Sequence, residues 1–166
     1  MAQQDIFLKI STDAAGPLKG ESTDPDHVGD ISIIGWHWGM KSPRDAHTFQ
    51  ATGKTQIQPI TVRKYADTAS TGLMSALRRN DGIKKATLAV RKASGTKPVD
   101  YFVINLEKGR LLSYDVQSER DEKGAPVLLE TIEIGFTRIT IEYKAQEAKG
   151  GGLATSTFQD EIAAPG

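Results

Sequence analysis

The chain of 166 residues contains no cysteine. A protein without thiols has no disulfide framework, no thiolate nucleophile and no cysteine-based zinc site. Aromatic residues are also few, at 7%, and only two of them are tryptophans. No apolar run reaches the roughly 20 residues that a membrane-spanning helix needs. The opening MAQQDIFLKI lacks a basic segment followed by an apolar run and a cleavage site, so we expect no cleaved signal peptide.

The chain has no excess of charge of either sign, because 21 Lys and Arg residues balance 21 Asp and Glu residues. Phosphate binding draws on a large positive excess, so we expect no nucleic acid partner. Hydrophobic residues make up 38% and charged residues 25%, which is typical of a folded globular protein. We predict one domain over residues 1–145. A flexible, glycine-rich tail over 146–166 follows, with a candidate last strand at 153–158.

Apolar and polar residues alternate along most of the chain, which is the period of a β-strand. Ile6, Leu8 and Ile10 alternate in this way in the first predicted strand. The stretch ISIIGWHWGM, residues 31–40, predicts another. Further strands are predicted at 55–64, 83–93, 98–108, 110–120, 126–136 and 137–145. The apolar positions change phase near Gly135, which indicates a bulge or bend there.

One segment has helical spacing, since Leu73, Ala76 and Leu77 fall on a single face. Asp67 is predicted to cap its amino terminus, and the Asn-Asp-Gly sequence at residues 80–82 is predicted to end it. Eight or nine short strands with one helix favour a mainly β fold, as a β-barrel or a tightly rolled sandwich.

The two tryptophans flank a histidine within one predicted strand. Trp36 and Trp38 share a face with Ile34, whereas His37 lies on the opposite face with Ile33. Two tryptophans on one face most often belong to a core, because each ring buries a large apolar area. We therefore predict that the tryptophans are structural and that His37 points away from the core. Ile33 makes the start of this strand apolar on both faces, which indicates that something packs over the outer one.

The motifs that resemble chemical sites do not form a complete set. Residues 53–55 (Gly-Lys-Thr) resemble the end of a phosphate-binding loop, but the first glycine is missing and a strand follows. The acidic residues and histidine of 24–30 lack the spacing of a calcium loop and predict a solvated turn. The three histidines stand ten residues apart, unlike zinc-binding pairs. We predict no catalytic, cofactor-binding or metal-binding residue.

The order of several short motifs resembles the haemolysin-coregulated protein (Hcp) family, the tube subunits of bacterial type VI secretion systems. The similar pieces are FLKI near the start, LKGES with Asp24 and His27 just after it, GWHWGM, VRKYADTASTGLMSAL, KATLAVRKASG and VDYFVINL. They follow one another in order up to about Tyr143. The combination of KGES, W-x-W-G and K-Y-x-D before a lone helix is fairly specific.

This resemblance implies a β-barrel of two packed antiparallel sheets with one flanking α-helix, similar to phage tail-tube proteins. It implies a homo-hexameric ring that stacks into a tube, inside a contractile sheath and capped by a spike protein. Effector proteins are carried in the lumen. The resemblance further implies no enzymatic activity, no cofactor and no membrane insertion. Secretion is expected from the bacterial cytoplasm through the type VI system, without a cleaved signal peptide.

The resemblance also implies roles for particular residues. The family places the residue between the two aromatics on the lumen wall, which implies that His37 faces the lumen and its effectors. The polar segment 40–54 has no periodicity, and a loop of this length is usually functional or disordered. We predict that it is an arm that contacts an adjacent subunit or ring. Its candidate contact residues are Lys41, Ser42, Arg44, Asp45, His47, Thr48, Phe49 and Gln50.

Two other classes of protein remain open from the residues alone. One is a monomeric β-barrel that binds a small molecule in its interior, with the tryptophans lining the pocket. The long polar segment 40–54 suits an arm better than the lid of such a pocket. The other class is an enzyme, for which the sequence offers no pair of nucleophile and base. The mass of the assembly in solution distinguishes a ring from both of these alternatives.

Overall fold

The computed structural model describes residues 4–92, 98–145 and 154–162. These residues form twelve strands and one helix, α1, which spans Ser70–Arg78. The strands are β1 (Gln4–Thr12), β2 (Gly16–Leu18), β3 (Ile31–Ile33), β4 (Gly35–His37), β5 (Met40–Lys41), β6 (Gln56–Ile57), β7 (Ile60–Tyr65), β8 (Gly82–Lys92), β9 (Val99–Arg120), β10 (Pro126–Gly135), β11 (Arg138–Lys144) and β12 (Thr155–Glu161).

Ten of the strands form one antiparallel sheet, which the long strand β9 divides into two layers. The first half of β9 pairs with β8 and β11, and its second half pairs with β10. One layer therefore runs β12-β11-β9-β8-β1, and the other runs β9-β10-β7-β4. The inward-facing side chains of both layers share one hydrophobic core. Leu8, Leu88, Ile104 and Ile141 form one row of this core, directly opposite one another across four strands.

The strand predicted over 31–40 consists of two short strands with Ile34 between them. β3 pairs with β1, and β4 pairs with β7, so this segment crosses from one layer to the other. Because the ladder is interrupted at Ile34, the described strands do not close into a continuous barrel. The mainly β fold with one helix is confirmed, as two packed layers that are bridged by β3 and β4.

The interruption at Ile34 changes which residues face the core. Ile31 and Ile33 are buried, Ile34 is 43% exposed, and Trp36 and Trp38 are half-buried. The prediction that Ile33 lies on the face away from the core, together with His37, is therefore wrong. The prediction assumed that inward and outward side chains alternate strictly through the whole segment. In the structure, odd-numbered side chains face the core before Ile34 and even-numbered side chains face it afterwards.

Two predicted strands, 98–108 and 110–120, form the single strand β9. Lys108, the last residue of the first of these, has a φ of 51°, a conformation that rarely permits a strand to continue. A Cβ at Gly109 would collide with the carbonyl oxygen of Gly135, so only glycine fits where β9 meets the end of β10. The irregularity predicted near Gly135 is present, since β10 ends there and β11 begins at Arg138.

The helix α1 buries Ser70, Leu73 and Ala76. Its N-cap residue is Ala69, so the prediction that Asp67 caps the helix is wrong by two positions. Asp67 instead accepts a hydrogen bond from the backbone N–H of Ala69 at 2.9 Å. The helix ends before Asn80, whose φ of 52° is left-handed. No helix of the described residues has the length and apolarity that crossing a membrane requires.

The predicted division into residues 1–145 and 146–166 stays a prediction. Residues 146–153 and 163–166 lie outside the described residues. Between these ranges, β12 pairs with β11 along its whole length, from Thr155 opposite Lys144 to Glu161 opposite Arg138. The candidate last strand at 153–158 overlaps β12, which extends three residues farther.

Candidate functional site

The two tryptophans, one within β4 and one just after it, pack against the hydrophobic core. Trp36 lies opposite Val62 of β7, and its ring stacks on Phe102 with centroids 5.6 Å apart. The ring of Trp38 lies 6.4 Å from that of Phe158 in β12. Nε1 of Trp38 is buried and has no hydrogen-bond acceptor among the residues that the structure describes. Both rings are half-buried, and the structural role predicted for them stays a prediction.

His37 is the last residue of β4, and its side chain is exposed. It lies directly opposite Thr61 of β7, which in turn lies opposite Glu133 of β10. Side chains directly opposite one another share a face of the sheet. His37 therefore belongs to the polar outer face of the β4-β7-β10 layer, on the side away from Trp36. Its predicted position on a lumen wall stays a prediction.

The segment predicted as an aperiodic arm is a hairpin. β5 and β6 pair as a separate two-stranded sheet. Farther out, Arg44 and Ala51 form an isolated bridge, and the N–H of Thr52 donates to the carbonyl oxygen of Pro43 at 2.9 Å. We call residues 40–57 the arm. All eight candidate contact residues are exposed, namely Lys41, Ser42, Arg44, Asp45, His47, Thr48, Phe49 and Gln50.

The tip of the arm is organised by Asp45. Its carboxylate accepts hydrogen bonds from the backbone N–H groups of Thr48 at 2.9 Å and His47 at 2.8 Å. These two bonds lower the pKa of Asp45, because they stabilise the charged carboxylate. Nη1 of Arg44 donates to the carbonyl oxygen of Phe49 at 2.9 Å. Phe49 has a φ of 57°, and its side chain is 72% exposed at the tip.

A buried ion pair connects β7 to β10 beside the helix. Lys64 and Glu130 lie opposite each other, both fully buried, and Nζ of Lys64 contacts Oε1 of Glu130. The same ammonium lies 2.9 Å from the carboxylate of Asp67 and donates to the hydroxyl of Ser70 at 3.3 Å. The hydroxyl of Tyr114 donates to the other oxygen of Glu130. These contacts attach the start of α1 to both strands.

The turn over 24–30 is only partly solvated, so the prediction of a solvated turn is wrong for His27 and Asp30. His27 is 8% exposed and Asp30 is 5% exposed. Nδ1 of His27 lies 2.9 Å from Asp30, and its Nε2 lies 3.1 Å from Asp100. The imidazole stacks on the ring of Phe7 in β1, with centroids 4.2 Å apart and planes 7° apart. The turn is therefore packed against the outer face of β1.

Arg91 contacts the same phenylalanine, with its guanidinium carbon 5.0 Å from the centroid of the Phe7 ring. Both terminal nitrogens of Arg91 bind the carboxylate of Asp24, at 2.7 Å for Nη1, and Nη2 also binds Asp5 at 2.9 Å. Chiefly through its hydrogen bond, the guanidinium lowers the pKa of Asp24 to about 2. The two carboxylates raise the pKa of Arg91, despite its burial.

Two clefts, of about 720 and 810 Å³, lie on the surface of β1, β8 and β9. Ser11 and Lys85 line both of them, and neither is lined by Trp36 or Trp38. The space between the two layers is filled by core side chains. These clefts do not match the interior, tryptophan-lined pocket that a small-molecule barrel predicts. Within the described ranges, no group of three or more histidine and acidic residues is placed to hold a metal ion.

Comparison with known proteins shows the family of this chain. The family model described as "Type VI secretion system effector, Hcp" matches residues 7–143, which is most of the sequence. The chain belongs to the Hcp family. It is 31% identical to Protein hcp1 of Pseudomonas aeruginosa over 148 residues, which cover 88% of this chain and 86% of that protein. The membership that the sequence motifs indicated is confirmed.

Solved structures agree with this family and with the fold. The crystal structure of Hcp1 from Salmonella typhimurium is similar with a TM-score of 0.69 and 28% identity, covering 95% of each chain. A structure titled as a type six secretion system protein reaches a TM-score of 0.80 at 25% identity, covering 96% of each chain. The chain is therefore an Hcp protein of a type VI secretion system.

The Hcp motifs that carried the resemblance have structural roles here. In KGES, the N–H of Gly20 donates to the carbonyl oxygen of Gly29 at 2.8 Å, and that of Ser22 donates to Asp30 at 3.0 Å. A Cβ at Gly20 would lie 2.5 Å from the carbonyl oxygen of Asp30, so a side chain would not fit. The K-Y-x-D motif contains Lys64 and Asp67, and both belong to the buried polar network between β7, β10 and α1. Sequence reasoning missed this network, although the motif marked it.

Proposed function

We propose that this Hcp protein is the structural subunit of a type VI secretion inner tube and has no enzymatic role. Homo-hexameric rings stack into the tube, which lies inside a contractile sheath and is capped by a spike protein. The tube leaves the bacterial cytoplasm without a cleaved signal peptide, and effector proteins travel in its lumen. Membership of the Hcp family supports each of these steps.

The arm is the observation that carries the proposal. An isolated two-stranded hairpin is marginally stable in water, and the arm adds only one bridge to the two residue pairs of β5 and β6. Its eight candidate contact residues are exposed, and they include the ring of Phe49 at the tip. A partner surface would bury that ring and stabilise the hairpin. The arm is thus suited to contact a neighbouring subunit.

Two strand edges that pair with another strand on one side only support the proposal that the subunits form a ring. β12 pairs with β11 on one side, and all seven of its residues are exposed. At the far end of the sheet path, β4 pairs with β7 alone among the described strands. An edge strand presents unpaired N–H and C=O groups that can bond another chain. When different edges of successive copies meet, the contact is heterologous, and such contacts generate a ring when the rotation between copies closes.

We assign the lumen wall to the outer face of the β4-β7-β10 layer, which carries His37. The row His37, Thr61 and Glu133 supports this assignment, because its three side chains are polar and lie on the side away from the core. A lumen residue repeated in every subunit presents a ring of identical side chains to each effector.

The test measures assembly of the wild-type chain and of a variant without the arm. Replacing residues 42–55 by Asn-Gly closes the hairpin directly after the pair Lys41 and Gln56, because two-residue Asn-Gly loops favour such turns. Light scattering should give the mass of a hexamer for both proteins, and negative-stain images should show tubes only for the wild type. A wild-type chain that stays monomeric at high micromolar concentration would refute the proposal and favour the small-molecule barrel.

A further inference from the structure

His27 connects the turn over 24–30 to the start of β9 through both nitrogens of its imidazole. Nδ1 lies 2.9 Å from the carboxylate of Asp30, and Nε2 lies 3.1 Å from that of Asp100. A charged carboxylate only accepts hydrogen bonds, and a neutral imidazole has a single N–H to donate. Both contacts are hydrogen bonds only when each ring nitrogen carries a proton. The geometry therefore fits the charged imidazolium.

The charges that face this imidazole are mostly negative. The charged side chains around it, from the turn, β1, β8 and β9, are Asp24, Asp26, Asp30, Asp5, Lys9, Arg91 and Asp100. Arg91 binds the carboxylates of Asp5 and Asp24. Nζ of Lys9 lies 4.0 Å from Asp30, and the lysine side chain is 66% exposed. Asp30 is buried, and a buried carboxylate is costly without a cation close by. A charged His27 supplies that cation.

The turn depends on His27 because its neighbours in the turn are not buried. Between residues 23 and 29, His27 is the one buried side chain, and its ring stacks on Phe7 of β1. The second attachment of the turn is the ion pair of Asp24 with Arg91 of β8. The turn leads directly into β3, the first of the two short strands that bridge the layers. A change at His27 would therefore act on a segment that is held at two points.

We propose that His27 is a pH-dependent latch, which holds the turn against β9 while both ring nitrogens are protonated and releases it as the pH rises. When the ring loses one proton, the other stays on Nδ1, because Asp30 is buried and belongs to the same turn. The lone pair of Nε2 then faces the carboxylate of Asp100, and the two repel each other. The side chain of Asp100 is 33% exposed, so water takes the place of the imidazole there. The contact between Nε2 and Asp100 is the one that opens.

The direction of the pH effect follows from which state of the turn binds the proton. The closed turn binds the charged ring more tightly than the open turn does, so the latch stabilises the closed turn at lower pH. This contribution is lost as the pH rises and the ring is deprotonated. The ion pair of Asp24 with Arg91 is lost in acid, so the two attachments of the turn fail at opposite ends of the pH range. The latch lies within one subunit and does not depend on the formation of rings.

Solid-state nitrogen NMR of the full chain, prepared at a series of pH values, tests the latch at the ring itself. A His37→Gln/His47→Gln variant with isotope-labelled histidine leaves the two ring signals of His27 alone. Both nitrogens should be protonated at low pH, and the proton should remain on Nδ1 after the ring becomes neutral. In the wild type, the exposed His37 and His47 are the matched controls. A neutral His27 with its proton on Nε2 would overturn the inference, because the contact with Asp100 would then be the one that persists.

Hydrogen–deuterium exchange tests whether the turn opens. The backbone N–H groups of Ser22, Gly29 and Asp30 donate hydrogen bonds within this part of the chain. Their protection, corrected for the intrinsic effect of pH on exchange, should fall about tenfold as His27 loses its proton, which corresponds to one hydrogen bond to a charged group. Asp100→Asn should abolish this fall, because an amide side chain both donates and accepts, and so pairs with Nε2 in either state of the ring.

Asp26→Asn is the matched control for Asp100→Asn. Its carboxylate lies in the same turn but is 71% exposed, so the fall in protection should persist in this variant. Protection that does not change with pH in the wild type, or a fall that persists in Asp100→Asn, would contradict the latch. Thermal melting shows whether each variant is folded, and the wild-type exchange and ring signals decide the question if Asp100→Asn is not. A chain that forms no rings but loses protection in this way supports the latch and contradicts the proposed function.

Discussion

Lys64 and Glu130 face each other across β7 and β10, and neither side chain has any exposed surface. Removing two charges from water costs several kcal/mol per ion, and the attraction between them offsets this only when the remaining polar groups are satisfied. Here Asp67, Ser70 and Tyr114 satisfy those groups. Each charge is therefore tolerated because the other is present.

Removing one partner of this pair should cost more than removing both. Lys64→Met is expected to lower the free energy of unfolding by about 3–5 kcal/mol, because Glu130 is left buried without a cation. Lys64→Met combined with Glu130→Leu should cost less than Lys64→Met alone, because no buried charge is left without its partner. Denaturant unfolding followed by tryptophan fluorescence measures all three variants. Additive losses would show that the two residues act independently.

Trp36 and His37 should differ sharply in their contribution to stability, although they are adjacent. Trp36→Ala is expected to cost about 3 kcal/mol, at the lower end for tryptophan because the ring is half-buried. His37→Gln should change stability by no more than about 0.5 kcal/mol, since the side chain is exposed. Thermal melting and light scattering compare the two. A His37→Gln protein that melts as early as Trp36→Ala would place His37 in the core.

Asp24 should stabilise the fold at neutral pH and lose this effect in acid. Its folded pKa is about 2, below the ordinary value of 3.8, because Arg91 binds the charged form. A carboxyl group with a lowered pKa contributes stability above its unfolded pKa, and the contribution is lost as the pH falls through the folded value. The melting temperature of the wild type should therefore exceed that of Asp24→Asn at pH 7, and the difference should shrink between about pH 4 and pH 2.

Asp26→Asn is the control for this prediction. Asp26 lies in the same turn, but it is 71% exposed and 3.9 Å from Arg91. Its substitution should shift the melting temperature little at any pH, as expected for an exposed ion pair. A gap between the wild type and Asp24→Asn that persists unchanged at pH 2 would mean that the carboxylate charge is not what stabilises the turn.

Gly109→Ala should destabilise the junction of β9 and β10. The added methyl group would collide with the carbonyl oxygen of Gly135, and such overpacking typically costs about 1–3 kcal/mol. Gly35→Ala is the matched control, because a Cβ at that strand position meets no atom within 4 Å. Denaturant midpoints of the two variants give the comparison. Equal midpoints would show that the backbone at Gly135 moves aside without cost.

The local spacing of apolar residues predicted much of the fold. The alternation in β1, β10 and β11 identified these strands because one face of each carries the side chains of the shared core. The spacing of Leu73, Ala76 and Leu77 identified the helix. The predicted boundaries failed where the backbone departs from regular geometry. Lys108 continues a strand in spite of its positive φ, and Ile34 interrupts one although its sequence is typical of a strand. Neither departure changes the local composition, so sequence alone does not reveal it.

The sequence did not predict the buried polar residues, and the reason is different. Lys64 and His27 are types that are usually exposed, and each is buried here because of partners far away in sequence. Glu130 lies 66 residues from Lys64, and Asp100 lies 73 residues from His27. Only the fold brings such partners within hydrogen-bond distance. The exposed segment over 40–54 was easier to locate, because a long polar segment without periodicity is visible in the sequence itself, although its hairpin register is not. Its contact with a neighbouring subunit stays a prediction.

The strand β9 belongs to both layers, and this has a consequence for how the subunit folds. Its first half carries the hydrogen bonds of β8 and β11, and its second half carries those of β10. Neither layer is complete without the strand that organises the other, so the two layers are expected to unfold together as one cooperative unit. Backbone amides of β8 and β10 should then exchange with solvent deuterium at similar, slow rates. If the subunits form the proposed ring, the two layers of each subunit would then enter it already folded as one unit.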